Sequence, residues 1–280
     1  MSLPDFSIVT PSFRNSNWLK LCIASVHDQK VTLEHIVQDA VSDDGTLDWL
    51  TSDSRVQAFV EKDSGMYDAV NRGWKRATGD YLAYLNCDEQ YLPGALERVK
   101  SFFKTHPEID IVFGDVVIVE STGEFKCFRK VNMPWYHYTK VCSNLCTFTA
   151  ATFMRRSVLD RHQLFFDPNY RALGDADWML RALRLPIRMA ILGTYTSTFT
   201  ETGQNLGQFP VSIKEQQAMF ASAPCWARRA APLFQWTHRL RRLLQGSYKQ
   251  NPFAYSIYTK QNLDQRVQFD VKKTTSRWVR

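Results

Sequence analysis

Residues 81–89, YLAYLNCDE, are an apolar run that stops abruptly on Asn86, Asp88 and Glu89. A short apolar segment bounded by polar residues predicts a strand buried on both faces. Two more segments repeat the design: Val37 leads to Asp39, and Val60 leads to Glu61 and Asp63. Between them lie helical patterns over residues 16–26, opened by Ser16 as a cap, and around residues 67–77. A first strand over 6–10 (FSIVT) precedes Pro11, a helix follows Pro93 as far as about residue 104, and a long strand covers 109–119. Strands alternating with helices predict an α/β fold with a mostly parallel central sheet flanked by helices. In such sheets ligands bind beyond the carboxyl ends of the strands. Three strand ends carrying carboxylates therefore predict one acidic cluster, which needs a positive partner to offset its repulsion. A divalent cation bridging phosphates meets that need.

The wider composition agrees. Of the 280 residues 44% are hydrophobic and 22% charged, the balance of a folded globular chain. No stretch approaches the apolar length of a membrane span, and residues 1–10 lack the basic start of a secretion signal, so a cytoplasmic protein is expected. The six cysteines form no CxxC pair, which speaks against zinc and against a disulfide framework. There is no GxGxxG after the first strand and no P-loop, GxSxG or HExxH motif.

The net charge of +7 is unevenly placed. From Cys225 onward 12 Lys and Arg face 2 Asp and Glu, a net +10, while the remainder carries −3. This shift predicts a boundary between Gly207 and Cys225, with a catalytic domain over 1–206 and a basic, largely helical extension over 207–280. Within it, residues 232–245 (PLFQWTHRLRRLLQ) align Leu233, Trp236, Leu240, Leu243 and Leu244 on one helical stripe, with Arg239, Arg241 and Arg242 outside it. Two readings stay open: the stripe lies on an anionic membrane surface, or it packs on the catalytic body. Nucleic acid is not expected as a partner.

Five segments, residues 6–13 (FSIVTPSF), 38–46 (QDAVSDDGT), 61–73 (EKDSGMYDAVNRG), 77–96 (ATGDYLAYLNCDEQYLPGAL) and 174–182 (GDADWMLRA), resemble family 2 glycosyltransferases of the type A fold in order and spacing. The resemblance covers roughly residues 5–205. It implies an inverting transferase of polysaccharide assembly that uses a nucleotide-sugar donor, a UDP-sugar first among them, with Mg or Mn on the diphosphate, and a glycan or lipid-linked acceptor. It divides the catalytic domain at about residue 118 into a nucleotide-sugar half and an acceptor half. By the same resemblance Pro11, Phe13 and Asp39 serve the base, Asp63 the ribose and diphosphate, and Asn86-Cys87-Asp88 stands for the DxD motif, with Asp88 on the metal. Asp175 matches the catalytic base, and its place at a helix entrance is expected to keep it ionised; Asp177 is the second choice.

Two departures from the family pattern stand out: Asn86 replaces the first Asp of the motif, and residues 149–153 (TAATF) replace a His-Gln-Ala-Thr-Phe stretch. Asn86 also supports a rival reading, a catalytically impaired subunit that binds nucleotide sugar or glycan. A sugar-nucleotidyltransferase is disfavoured by the lack of a Gly-rich loop after the first strand.

Overall fold

The computed structural model describes residues 3–203 and 210–278. Its strands are β1 (Phe6–Ser12), β2 (Leu33–Asp39), β3 (Gln57–Val60), β4 (Tyr81–Tyr84), β5 (Glu89–Tyr91), β6 (Ile111–Glu120), β7 (Phe125–Arg129), β8 (Thr152–Arg155), β9 (Met189–Glu201), β10 (Phe253–Thr259) and β11 (Asn262–Val271). The helices are α1 (Ser16–His27), α2 (Leu47–Leu50), α3 (Met66–Arg76), α4 (Ala95–Thr105), α5 (Tyr136–Cys142), α6 (Arg156–His162), α7 (Gly174–Ala182), α8 (Pro210–Ala221), α9 (Cys225–Arg229) and α10 (Ala231–Leu244).

The main sheet runs β3-β2-β1-β4-β8-β6-β9-β5, with β7 added beside β6. The first four strands are parallel to one another, as are β6 and β9, whereas β8 lies antiparallel between β4 and β6. The expected mostly parallel α/β architecture is present. All seven residues of β1 are buried, as a central strand covered on both faces requires. On one face Phe6 and Ile8 pack with Cys22 and Val26 of α1 and with Leu96, Val99 and Phe103 of α4. On the other, Val9 packs with Val70 and Trp74 of α3 and with Trp178 of α7.

Two local expectations need correction. Ser16 does not cap α1; it is the helix's first residue, and its Oγ accepts a hydrogen bond from Trp49 Nε1 at 2.9 Å. The C-terminal extension is helical over residues 210–244 apart from short breaks, but not beyond. After α10 the chain forms the antiparallel hairpin β10–β11, whose Tyr255, Ile257 and Val271 pack on Leu92, Val117 and Val119 of the body. Arg266 of the hairpin pairs with Asp28 at 2.6 Å, and Gln90 exchanges two hydrogen bonds with the Tyr258 backbone. Alternating apolar residues closing an otherwise open core explain why this basic segment folds as strands. The extension is thus built into the body, and the expected boundary near residue 206 falls among residues 204–209, outside the described residues.

Candidate active site

β1, β3 and β4 release the chain on the same edge of the sheet, and the loops that follow them wall a cavity of about 830 Å³. Its lining includes Pro11 and Phe13 from the end of β1, Lys62 and Asp63 after β3, and Asn86, Asp88 and Glu89 after β4. Asp175, in the first turn of α7, faces it from another element, and Arg171, Thr149, Phe199, Glu201 and Trp278 complete the wall. Six of the seven residues singled out from sequence therefore meet in one cavity.

Asp39 does not line it. The side chain is wholly buried, and its carboxylate accepts hydrogen bonds from the Ser42 N–H at 2.7 Å and from the Ser42 and Ser12 hydroxyls, each at 2.8 Å. It lies beneath the wall and fixes the loop that carries Ala40. Phe13, by contrast, is 50% exposed, with the Arg14 guanidinium over its ring at 4.9 Å. The remaining acids of the first loop hold the chain in place: Asp43 pairs with Arg14 at 2.6 Å, and Asp44 accepts from the Ser16 N–H and the Thr46 hydroxyl.

Asp63 is half-buried and accepts a hydrogen bond from the Gly65 N–H at 2.9 Å. Burial wins over that bond and holds its carboxyl above the usual carboxylate range. Gly65 sits at φ 133°, a conformation reserved for glycine, and a Cβ there would collide with the Arg171 guanidinium. The missing side chain lets the Arg171 guanidinium lie over Gly65.

Asp88 and Glu89 are neighbouring acids in a water-poor corner. Burial raises both carboxyls, and their mutual repulsion raises Glu89 further. Glu89 Oε2 accepts the Asn86 N–H at 2.9 Å, which ties one of its oxygens to the backbone, and both acids line the cavity. No cluster of three or more metal-ligating side chains occurs among the described residues. A single carboxylate short of positive charge nevertheless suits a hard divalent ion that takes its other ligands from substrate phosphates and water.

Asp175 behaves differently from the sequence expectation. Its Oδ1 accepts the Ala176 N–H at 2.8 Å and its own N–H donates to the Tyr67 hydroxyl at 3.2 Å. These bonds and the helix start favour the ionised form, but desolvation prevails and pushes the carboxyl up to about 6. Gly174 permits the arrangement, since a Cβ there would lie 2.5 Å from the Tyr67 ring. Asp177 pairs with Arg181 at 2.8 Å and is absent from the cavity wall.

Sequence reading missed two groups of site residues. Lys62 and Arg171 bring positive charge to the wall, and Lys62 was visible in the strand-end EKDSG segment. Phe199, Glu201 and Trp278 come from β9 and the extreme C-terminal segment, with Trp278 Nε1 donating to Glu201 at 3.3 Å. Glu215 of α8 also escaped notice: its carboxylate accepts the N–H groups of Arg171, Ala172 and Leu173 at 2.7 to 3.0 Å and so anchors the loop leading into Asp175.

Known proteins share this chain's sequence pattern and its fold. The family described as Glycosyl transferase family 2 matches residues 7–162. A PGL/p-HBAD biosynthesis glycosyltransferase of Mycobacterium tuberculosis is 30% identical over 198 residues, covering 66% of this chain and 72% of the relative. The putative teichuronic acid biosynthesis glycosyltransferase TuaG of Bacillus subtilis is 33% identical over 105 residues, covering 35% of this chain and 42% of TuaG. Among solved structures, S. aureus TarS 1–349 in complex with UDP-GlcNAc aligns with a TM-score of 0.57 at 15% identity, over 77% of this chain and 64% of that one. Mannosyltransferase PcManGT from Pyrobaculum calidifontis, in complex with GDP-Man and Mn2+, aligns at 0.52 and 16% identity, over 88% and 80% of the two chains.

Proposed function

Because the chain belongs to glycosyltransferase family 2, we propose that it transfers one sugar from a nucleotide-sugar donor, a UDP-sugar first among the choices, to a glycan or lipid-linked acceptor of the cell envelope, with inversion at the anomeric carbon. The observation that carries the reading is that Asp88 and Asp175, acids from separate elements, line the same cavity. Relatives support the substrate class: TarS was solved with UDP-GlcNAc and PcManGT with GDP-Man, and TuaG is a putative teichuronic acid biosynthesis glycosyltransferase.

In this reading Pro11 and Phe13 flank the base, Asp63 and Asn86 meet the ribose and diphosphate, and Lys62 and Arg171 face the diphosphate charge. Asp88 holds the Mg or Mn ion, which when bound neutralises the leaving diphosphate. The acceptor hydroxyl oxygen forms the new bond to the anomeric carbon as the bond from that carbon to the diphosphate oxygen breaks. The hydroxyl proton passes to Asp175. A carboxyl at about 6 is ionised at neutral pH yet more basic than an exposed Asp, which suits that role. Asn86 supplies an amide that donates and accepts hydrogen bonds without adding charge to a corner already holding two acids. Incubating the protein with UDP-, GDP- and dTDP-sugars and Mn2+ should release the nucleoside diphosphate from one donor class, faster with acceptor present. Release from none of them, with or without a membrane extract as acceptor source, would overturn the reading.

The same reading includes an anionic membrane surface. α10 does pack on the body, but through Phe234, which meets Trp135 and Ala227, and through His238 stacked on Tyr138. The stripe seen in the sequence faces solvent: Trp236 is 60% exposed, Leu243 61% and Leu244 77%, with Trp226 of α9 and Leu233 alongside. Arg228 and Arg229 of α9 are exposed as well, the charge complement of anionic lipid. No helix among the described residues is long and apolar enough to cross a membrane. Changing Trp236, Leu243 and Leu244 together to Asp is expected to cut co-sedimentation with phosphatidylglycerol vesicles by about tenfold or more, at about 0.8 kcal/mol per buried CH₂ lost. Melting temperature should stay the same, because these side chains contact little. Unchanged co-sedimentation would contradict the membrane role.

A further inference from the structure

A second cavity, of about 390 Å³, opens between α5 and α10. It falls in the range of about 300–1,000 Å³ typical of small-ligand sites. Arg129, Lys130, Arg239 and Arg242 line it, and no carboxylate does. Arg242 stacks its guanidinium over the Tyr248 ring at 4.5 Å, while its buried Nε and Nη2 find no hydrogen-bond partner among the described residues. Buried donors on a cation are costly unless an acceptor meets them, and several cations around one cavity add repulsion. Burial and the nearby Arg242, Arg241 and Arg129 push His238 down to about 4, so at neutral pH its imidazole is uncharged and adds no further repulsion. Donors remain on the rim: Asn144 and Gln235 also line the space.

The cavity adjoins the catalytic one. Phe148 lines the former and its neighbour Thr149 the latter. Phe148 lies 6.2 Å, ring to ring, from Trp278, which lines the catalytic cavity, and Arg129 sits over that same Trp278 ring at 5.9 Å. Phe148 and Trp278 stand between the two spaces.

We propose that this cavity binds a phosphate group of the acceptor, a phosphomonoester, phosphodiester or diphosphate lying close to the hydroxyl that reacts. Arginine forks match the tetrahedral oxygens of phosphate, and a group with two or more charged oxygens satisfies Arg239 and Arg242 together. A single carboxylate offers fewer oxygens than the cluster has donors. The assignment rests on the glycosyltransferase reading for its account of what lies next door, but phosphate binding itself can be measured without any donor.

The test is calorimetric titration of the full chain with inorganic pyrophosphate in EDTA, which removes the metal needed at Asp88. The expected result is one saturable site, weakened at least tenfold in Arg242→Gln and in Arg239→Gln, and less in Arg242→Lys, which keeps the charge but not the fork. Arg239 is exposed, so its variant tests the site even if the Arg242 variant fails to fold. Binding that is absent in the unmodified protein, or undiminished in both Gln variants, overturns the proposal. A parallel arm measures co-sedimentation with phosphatidylglycerol vesicles. Unchanged vesicle binding in Arg239→Gln alongside lost pyrophosphate binding supports an acceptor phosphate, whereas lost vesicle binding without any pyrophosphate site assigns the cavity to a bilayer headgroup and overturns it. Nucleoside diphosphate release by the unmodified protein reports separately on the donor side, so failure of either reading is seen alone.

Discussion

Asp175→Asn is expected to lower the transfer rate by about 10² to 10⁴, the usual contribution of acid–base catalysis, while leaving donor affinity within error. The side chain keeps its shape and can still accept the Ala176 N–H, so the effect isolates basicity. The pH profile provides a second signature. A base acts when ionised, and burial places this carboxyl at about 6, so kcat/KM should fall about tenfold per pH unit below that value and level off above it. The acid limb should vanish from the residual activity of the variant. Stability should move the other way. The folded carboxyl lies above the ordinary value of 3.8, so its ionisation increasingly opposes folding as pH rises from about 4 to about 6. The neutral Asn removes that penalty, and melting temperature at pH 7 should be unchanged or higher. A near-normal rate in Asp175→Asn with an inactive, folded Asp177→Asn would move the role to Asp177, against its ion pair with Arg181.

Asp88→Asn is expected to abolish metal-dependent donor binding. Loss of even an outer-shell partner costs a metal site about 10- to 100-fold in affinity, so loss of a carboxylate that would ligate the ion directly should cost at least about 100-fold. The variant should fold normally, because an amide replaces a carboxyl whose burial already disfavours charge. Calorimetry with a nucleotide sugar and Mn2+ checks this: unchanged affinity and unchanged Mn2+ dependence in the variant would remove Asp88 from the metal.

The nucleotide side of this cavity was legible in the sequence because it obeys a local rule. Pro11 lies at the end of a strand and Asp63, Asn86 and Asp88 follow one by a few residues, and parallel pairing alone gathers strand ends at one edge. Asp39 obeyed the same rule and still fell beneath the wall, since its orientation is set by Ser12 and Ser42, contacts that spacing does not reveal. Residues brought in from far along the chain were illegible. Trp278 reaches the cavity only because its segment runs beside β7, where Phe128 N–H donates to the Thr275 carbonyl at 2.9 Å. Glu215 acts through backbone groups more than forty residues earlier, across a span with no shared motif. The hairpin β10–β11 did leave a signal, the alternation of Phe253, Tyr255 and Ile257, but the charge of the extension and the stripe on α10 drew the reading toward helix. That stripe was correctly identified as apolar, yet tertiary contact chose the opposite face, through Phe234 and His238.

The central claim is that the strand-end cavity takes a nucleotide sugar together with a divalent ion, and thermal unfolding measures it most directly. A ligand that binds only the folded chain stabilises it by about 2.7 kcal/mol at one hundred times its dissociation constant. With saturating Mn2+, one class of nucleotide sugar should raise the melting temperature clearly, UDP-sugars being expected, and EDTA or Asp88→Asn should erase the shift. An unshifted melting temperature across UDP-, GDP- and dTDP-sugars with Mn2+ or Mg2+, or an equal shift in EDTA, would contradict it.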